Sequence, residues 1–161
     1  MLLVQRRIAA LCSQFPVQSL RWLAVNAFKQ RENSEKWGPK PGSSESEVNW
    51  AKLKQLQACS SPSELVVIDV RSENEALEDG LLKDAINIPL DDLFYAFLLP
   101  EDKFLQNYGC RKPHKDTKIV LYCNHNRKSR LARKKLEYFG IPGCICLSGG
   151  TAALKKDEAN G

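Results

Sequence analysis

Cys123 is the residue of this sequence whose surroundings suit nucleophilic chemistry. It follows a short apolar run, Ile119-Val120-Leu121-Tyr122, and opens a polar stretch, Asn124-His125-Asn126-Arg127-Lys128. A strongly helical segment begins near Ser129. The order strand, thiol, tight loop, helix turns unpaired N–H groups and the positive end of a helix dipole toward the sulfur, and both favour an anion there. Cationic neighbours at a helix N-terminus are the setting in which a cysteine becomes a nucleophilic thiolate. Cys123 is therefore read as catalytic, with Asn124, His125, Asn126, Arg127, Lys128 and Ser129 as the residues that bind its substrate. An inert strand-end cysteine is the plainer reading, and the cation-bearing loop weighs against it. His125 reads as a solvated loop histidine before a proton shuttle.

The elements that must position this loop follow from hydrophobic patterning. Ser44 and Glu47 have capping-box spacing ahead of an apolar stripe of Val48, Ala51, Leu53 and Leu56, which predicts a first helix. Leu65-Val66-Val67-Ile68 is an uninterrupted apolar run typical of a buried parallel strand. It ends in Asp69-Val70-Arg71, where Asp69 and Arg71 are read as a structural ion pair. A short acidic helix from Glu73 to Asp79 closes at Gly80, and Ala85-Ile86-Asn87-Ile88-Pro89 gives another strand. Segments 90–99 and 101–108 read as helices separated by Pro100. After the central strand, the next helix should lay Leu131, Ala132, Leu136 and Phe139 on the sheet. Cys144-Ile145-Cys146-Leu147 supplies a last strand, and Gly149-Gly150 opens a final short helix. Alternating strands and helices imply an α/β domain with a mainly parallel central sheet flanked by helices. Ligands bind such sheets beyond the carboxyl ends of the strands, where both Arg71 and Cys123 stand.

Charge and composition narrow the classes. The net charge of +5 comes entirely from residues 1–31, which hold Arg6, Arg7, Arg21, Lys29 and Arg31 and no acid; removing those five from the 24 Lys and Arg leaves 19 against 19 Asp and Glu. The neutral remainder offers no nucleic-acid footprint, and the basic face around Arg130, Arg133, Lys134 and Lys135 reads as solvated helix surface. Residues 1–36, arginine-bearing, amphipathic and acid-free through Arg31, read as a mitochondrial transit peptide, with an uncleaved cytoplasmic arm as the alternative. Residues 37–44 form a flexible linker, 45–156 the folded domain and 157–161 a polar tail. No window approaches the roughly 18 apolar residues of a membrane span. Cys110 and His114 approximate a ligand pair, but no C-x2-C exists, so no metal and no other cofactor is expected. Cys144 and Cys146 share a strand face and read as core, with a role in resolving chemistry at Cys123 as the alternative.

Together, Asp69-Val70-Arg71, then Gly80 to Pro89, then Tyr122-Cys123 and its loop, then Leu147-Ser148-Gly149-Gly150 give an order and spacing that resembles a rhodanese-like, thiosulfate sulfurtransferase-like domain over about residues 45–156. The resemblance implies that Cys123 takes a sulfane sulfur from thiosulfate or a persulfide, holds it as an enzyme persulfide, and passes it to a thiol or cyanide acceptor. It also implies a monomer whose partners are a small sulfur donor and a thiol acceptor. The basic residue usual five positions after the cysteine is Lys128, with Arg127 beside it. A cysteine phosphatase would need C-x5-R, and that sixth position is Ser129. The loop departs from the family in lacking glycine, with Asn126 at the place often held by one. The stretch usually reading Gly-His-Ile-Pro-Gly-Ala is Gly80-Leu81-Leu82-Lys83-Asp84-Ala85, and the tryptophan usual after the double glycine is Thr151. These departures leave a second expectation, a catalytically inactive module that binds a protein partner or persulfide carrier.

Overall fold

A computed structural model describes residues 46–114 and 116–159; the expected leader, the linker and the Ser44 cap lie outside the described residues. Strands β1 (Glu47–Val48), β2 (Leu65–Asp69), β3 (Ala85–Asn87), β4 (Lys118–Tyr122) and β5 (Ile145–Leu147) form one sheet in the order β1-β5-β4-β2-β3. Every pairing is parallel. The domain is α/β with helices flanking this sheet. The strand that delivers Cys123, β4, is the middle one, paired with β2 from Leu65↔Lys118 to Asp69↔Tyr122. This register brings the carboxyl ends of β2 and β4 level, so the residues after Asp69 and after Tyr122 emerge side by side.

Side-chain alternation sends each strand's residues into two cores. Val66, Ile68, Ile119, Leu121, Cys123 and Cys144 pack on one face with Leu93, Ala96, Phe104, Ala132 and Leu136. Leu65, Val67, Val120, Tyr122 and Leu147 pack on the other with Val48 and Leu53. Burial on both faces explains why β2 and β4 read as continuous apolar runs.

The first helix, α1 (Trp50–Cys59), starts later than its sequence pattern suggests. Glu47 and Val48 are strand, pairing with Cys146 and Leu147, and Asn49 provides the cap by accepting from Lys52 N at 2.9 Å. Helix α2 (Glu73–Asp79) is fixed by a reciprocal capping box between Ser72 and Glu75 and ends at Gly80. Helices α3 (Leu93–Leu98) and α4 (Glu101–Tyr108) flank Pro100.

Helix α5 (Arg127–Tyr138) buries Ser129, Ala132 and Leu136. Leu131, expected on the sheet, is 48% exposed. The buried stripe begins at Ser129, which turns Leu131 outward. Phe139 stacks on Phe94 of α3, ring centroids 4.2 Å apart, and seats the end of α5. Helix α6 (Gly150–Ala159) runs beyond the expected domain boundary at 156. Among the described residues no helix is long and apolar enough to cross a membrane.

Candidate active site

Cys123 leaves the end of β4, and the chain reverses through Asn124, His125 and Asn126 before α5 begins. The reversal places Asn126 in the left-handed region, φ +62°. Asparagine tolerates that region best among residues with a side chain, so the turn forms without glycine. Asn126 precedes α5 as its cap residue, yet its side chain accepts no helix N–H. Its Oδ1 instead accepts from Ser129 Oγ at 2.7 Å. Among the described residues, no acceptor partners the backbone N–H groups of residues 124–129. That is the usual condition of a helix N-terminus that awaits an anion or water.

The Cys123 thiol donates to Ser129 Oγ at 3.7 Å. A hydroxyl has one proton, and that of Ser129 goes to Asn126, so its lone pairs face the S–H. If the sulfur ionises, the same hydroxyl can turn its proton toward it. Ser129 and Asn126 are both buried, and neither lines the cavity that Cys123 borders. A cavity of about 470 Å³ is lined by Glu75, Cys123, Asn124, His125, Arg127, Lys128 and Leu131. Cys123 itself is only 2% exposed and forms part of that lining. His125 and Arg127 are exposed at the cavity, and Asn124 and Lys128 are half-buried.

Asn124 is anchored from three sides. Its Oδ1 accepts from Thr151 Oγ1 at 2.8 Å and from Arg71 Nη1 at 3.3 Å, and its Nδ2 reaches Glu75 Oε1 at 3.5 Å. The start of α6 clamps the same loop through backbone bonds, Thr151 N to Cys123 O at 3.0 Å and Ala152 N to Asn124 O at 3.1 Å. Gly150 permits this approach, because a Cβ there would overlap the carbonyl oxygens of Cys123 and Asn124. The double glycine is thus a docking point for the loop as well as a helix start.

Arg71 and Asp69 form the ion pair the sequence suggested, at 2.7 Å with side chains 1% and 0% exposed. The pair extends further than expected. Arg71 also donates to Asp79 at 3.0 Å and Gly80 O at 2.7 Å, and lies over the Tyr122 ring. One guanidinium therefore joins β2, the end of α2 and the loop after Cys123. Burial works against its charge, but hydrogen bonding and charge from Asp69, aided by Tyr122 and Asp79, hold its pKa above the ordinary value.

Glu75 is the residue that sequence reading missed. It was read only as part of an acidic helix, yet its Oε2 lies 2.6 Å from Lys128 Nζ and it lines the cavity. The Lys128 hydrogen bond, then those from the Ser72 backbone and hydroxyl, bring its carboxyl down to about 2. The available signal was the spacing Ser72-x-x-Glu75, which fixes that carboxylate at the start of α2. Burial pushes the Cys146 thiol up to about 11 and Cys144 up to about 12, so both stay protonated core residues near neutral pH. His114 lies 3.8 Å from Glu101, and among the described residues no group of three or more His, Cys, Asp or Glu is placed to hold a metal.

The sequence profile described as "Rhodanese-like domain" matches residues 49–157. A rhodanese domain-containing protein of Drosophila melanogaster, CG4456, is 29% identical over 99 residues, 62% of this chain and 89% of that one. A Schizosaccharomyces pombe relative with "thiosulfate sulfurtransferase, mitochondrial" in its name is 32% identical over 75 residues, 47% of this chain and 52% of that one. Among solved structures, the human single-domain sulfurtransferase TSTD1 matches with a TM-score of 0.58 at 25% identity, covering 65% of this chain and 90% of that one. A parallel sheet with a cysteine loop at the end of its middle strand, matched across its length by the family profile, places this chain in the rhodanese-like domain family.

Proposed function

We propose that this chain is a sulfurtransferase that carries a sulfane sulfur on Cys123. The Cys123 thiolate attacks the outer sulfur of thiosulfate or of a persulfide, the S–S bond of the donor breaks, and sulfite or a thiolate leaves with the bonding pair. The resulting Cys123 persulfide is an anion, and an acceptor thiolate or cyanide then takes its terminal sulfur and returns the thiolate. No net oxidation of the protein occurs. The observation that carries this reading is Cys123 in the cavity lining, at the head of a loop whose 124–129 N–H groups find no acceptor among the described residues. Those groups would stabilise the thiolate and the persulfide alike. Arg127 and Lys128 would draw the anionic donor, His125 would remain solvent-facing, and Asn124, Asn126 and Ser129 would hold the loop's shape. Asp69 and Arg71 would support the loop without touching substrate.

The 2% exposure of Cys123 favours a second reading, a module that binds a partner or persulfide carrier without turnover. Thiocyanate formation from cyanide separates the two, with thiosulfate, methanethiosulfonate and glutathione persulfide as donors. Activity that disappears in Cys123→Ser supports the enzyme; no product from any donor leaves the module.

Residues 1–36 would deliver the domain to mitochondria, as their arginine-bearing composition, acid-free through Arg31, and the mitochondrial name of the fission-yeast relative suggest. Fusing them to a fluorescent protein tests this: mitochondrial signal supports the leader, and diffuse cytoplasmic signal removes it.

A further inference from the structure

We propose that Glu75 sets the charge of the sulfur donor this cleft accepts, selecting monoanionic donors over dianionic ones. The inference rests on the sulfur-transfer reading and concerns the same cavity. Glu75 lines that cavity, and its Oε2 holds Lys128 Nζ at 2.6 Å. The capping box with Ser72 fixes the carboxylate from behind, with Ser72 N and Oγ donating to Oε2 at 2.9 and 2.8 Å. Asn124 Nδ2 approaches the other oxygen at 3.5 Å, so Glu75 is bound to the reactive loop at two points.

Two cations border the cavity, and this arrangement leaves one uncompensated. Lys128 is neutralised where it stands, whereas Arg127 has no ion-pair partner among the described residues. Apart from the attacking thiol itself, the carboxylate and basic chains of the lining, Glu75, Arg127 and Lys128, therefore sum to a single positive charge. The Cys123 thiolate adds one negative charge against either donor alike, so a monoanion meets a site of no net charge. A dianion brings a second negative charge beside a carboxylate already committed to Lys128, and at such separations one unit of charge shifts an association constant by about five- to tenfold. Specificity arises from an unfavourable element placed against one donor class as well as a favourable one for the other.

Methanethiosulfonate and thiosulfate isolate the variable, because each offers a terminal sulfane sulfur and they differ by one charge. Attack by the Cys123 thiolate releases methanesulfinate from the first and sulfite from the second, with charge conserved in both cases. The measured quantity is the ratio of kcat/KM for the two donors, which is internal to one preparation and insensitive to its folded fraction. Glu75→Gln retains a capping-box side chain and should move the ratio about fivefold toward thiosulfate, mainly through KM. Lys128→Met should move it about as far the other way. The double variant should return to the wild-type ratio, since the pair again sums to zero. These shifts should shrink at high salt.

A ratio unchanged by Glu75→Gln in an active protein overturns the inference while sulfur transfer stands. A double variant that behaves like Lys128→Met also overturns it, because Lys128 would then act as a direct ligand and Glu75 would be bystander to donor charge. Absence of transfer from either donor by the wild-type protein ends both the inference and the function beneath it.

Discussion

Thr151 Oγ1 donates to Asn124 Oδ1 at 2.8 Å, tying the first turn of the last helix to the residue after Cys123. Thr151 occupies the position where the family resemblance leads one to expect tryptophan. A small hydroxyl there locks the loop by hydrogen bonding where a large ring would act by bulk. Thr151→Val keeps the shape and removes the bond, and should cost about 1 kcal/mol. Urea denaturation checks this, with an unchanged midpoint contradicting it.

Gly150 makes the same contact possible through its backbone. At φ +60° and pressed against the carbonyls of Cys123 and Asn124, it has no room for a side chain. Gly150→Ala should destabilise the fold by roughly 3 kcal/mol or more, since backbone on both sides must move. Gly109 provides the control, with φ +71° and nothing within 4 Å of an added Cβ. Gly109→Ala should cost only the left-handed strain, about 1 kcal/mol. Equal losses in the two variants would show that crowding at Gly150 is relieved without penalty.

Arg71 is buried and shared among Asp69, Asp79, Gly80 and Asn124. Arg71→Met strands Asp69, itself 0% exposed, without a counter-charge and should cost about 3–5 kcal/mol. Arg71→Lys restores the charge but not the planar fork, and should recover only part of that loss. Thermal melts of the two variants measure this, and full recovery by lysine would remove the fork from the account.

How much of this was legible beforehand varied with the range of the interaction. Helix α2 and strands β2 and β4 could be read locally, because a capped acidic run and two-sided burial leave their marks within a few residues. The start of α1 could not: Glu47 and Val48 are strand because they pair with Cys146 and Leu147, far along the chain. Leu131 was misassigned because periodicity finds an apolar face without saying which polar residue joins it. Ser129 does so here by spending its hydroxyl on Asn126. Position 123 and its loop stood out by residue type. The partner of Lys128 did not, since nothing local links Glu75 to a loop that only the level ends of β2 and β4 bring near.

The Glu75–Lys128 pair gives stability a defined pH dependence. The carboxyl of Glu75 is lowered from 4.5 to about 2, first by Lys128 and then by Ser72. A folded value below the unfolded one means that the unfolded chain binds more protons between the two, so this contribution grows with pH across that interval. It is fully present above about pH 4.5 and is lost as pH falls through about 2. The stability difference between wild type and Glu75→Gln, followed by denaturation from neutral to acid pH, should narrow over that window. A difference that ignores pH would mean the ion pair contributes nothing.

Intact-mass spectrometry of the protein after exposure to a sulfane donor tests the central claim most directly, because it asks whether Cys123 carries sulfur. The account predicts a gain of one sulfur atom, removed by a thiol acceptor, mapped to the peptide containing Cys123 and absent from Cys123→Ser. A gain that persists in Cys123→Ser, or no gain from methanethiosulfonate, thiosulfate or glutathione persulfide, would contradict it.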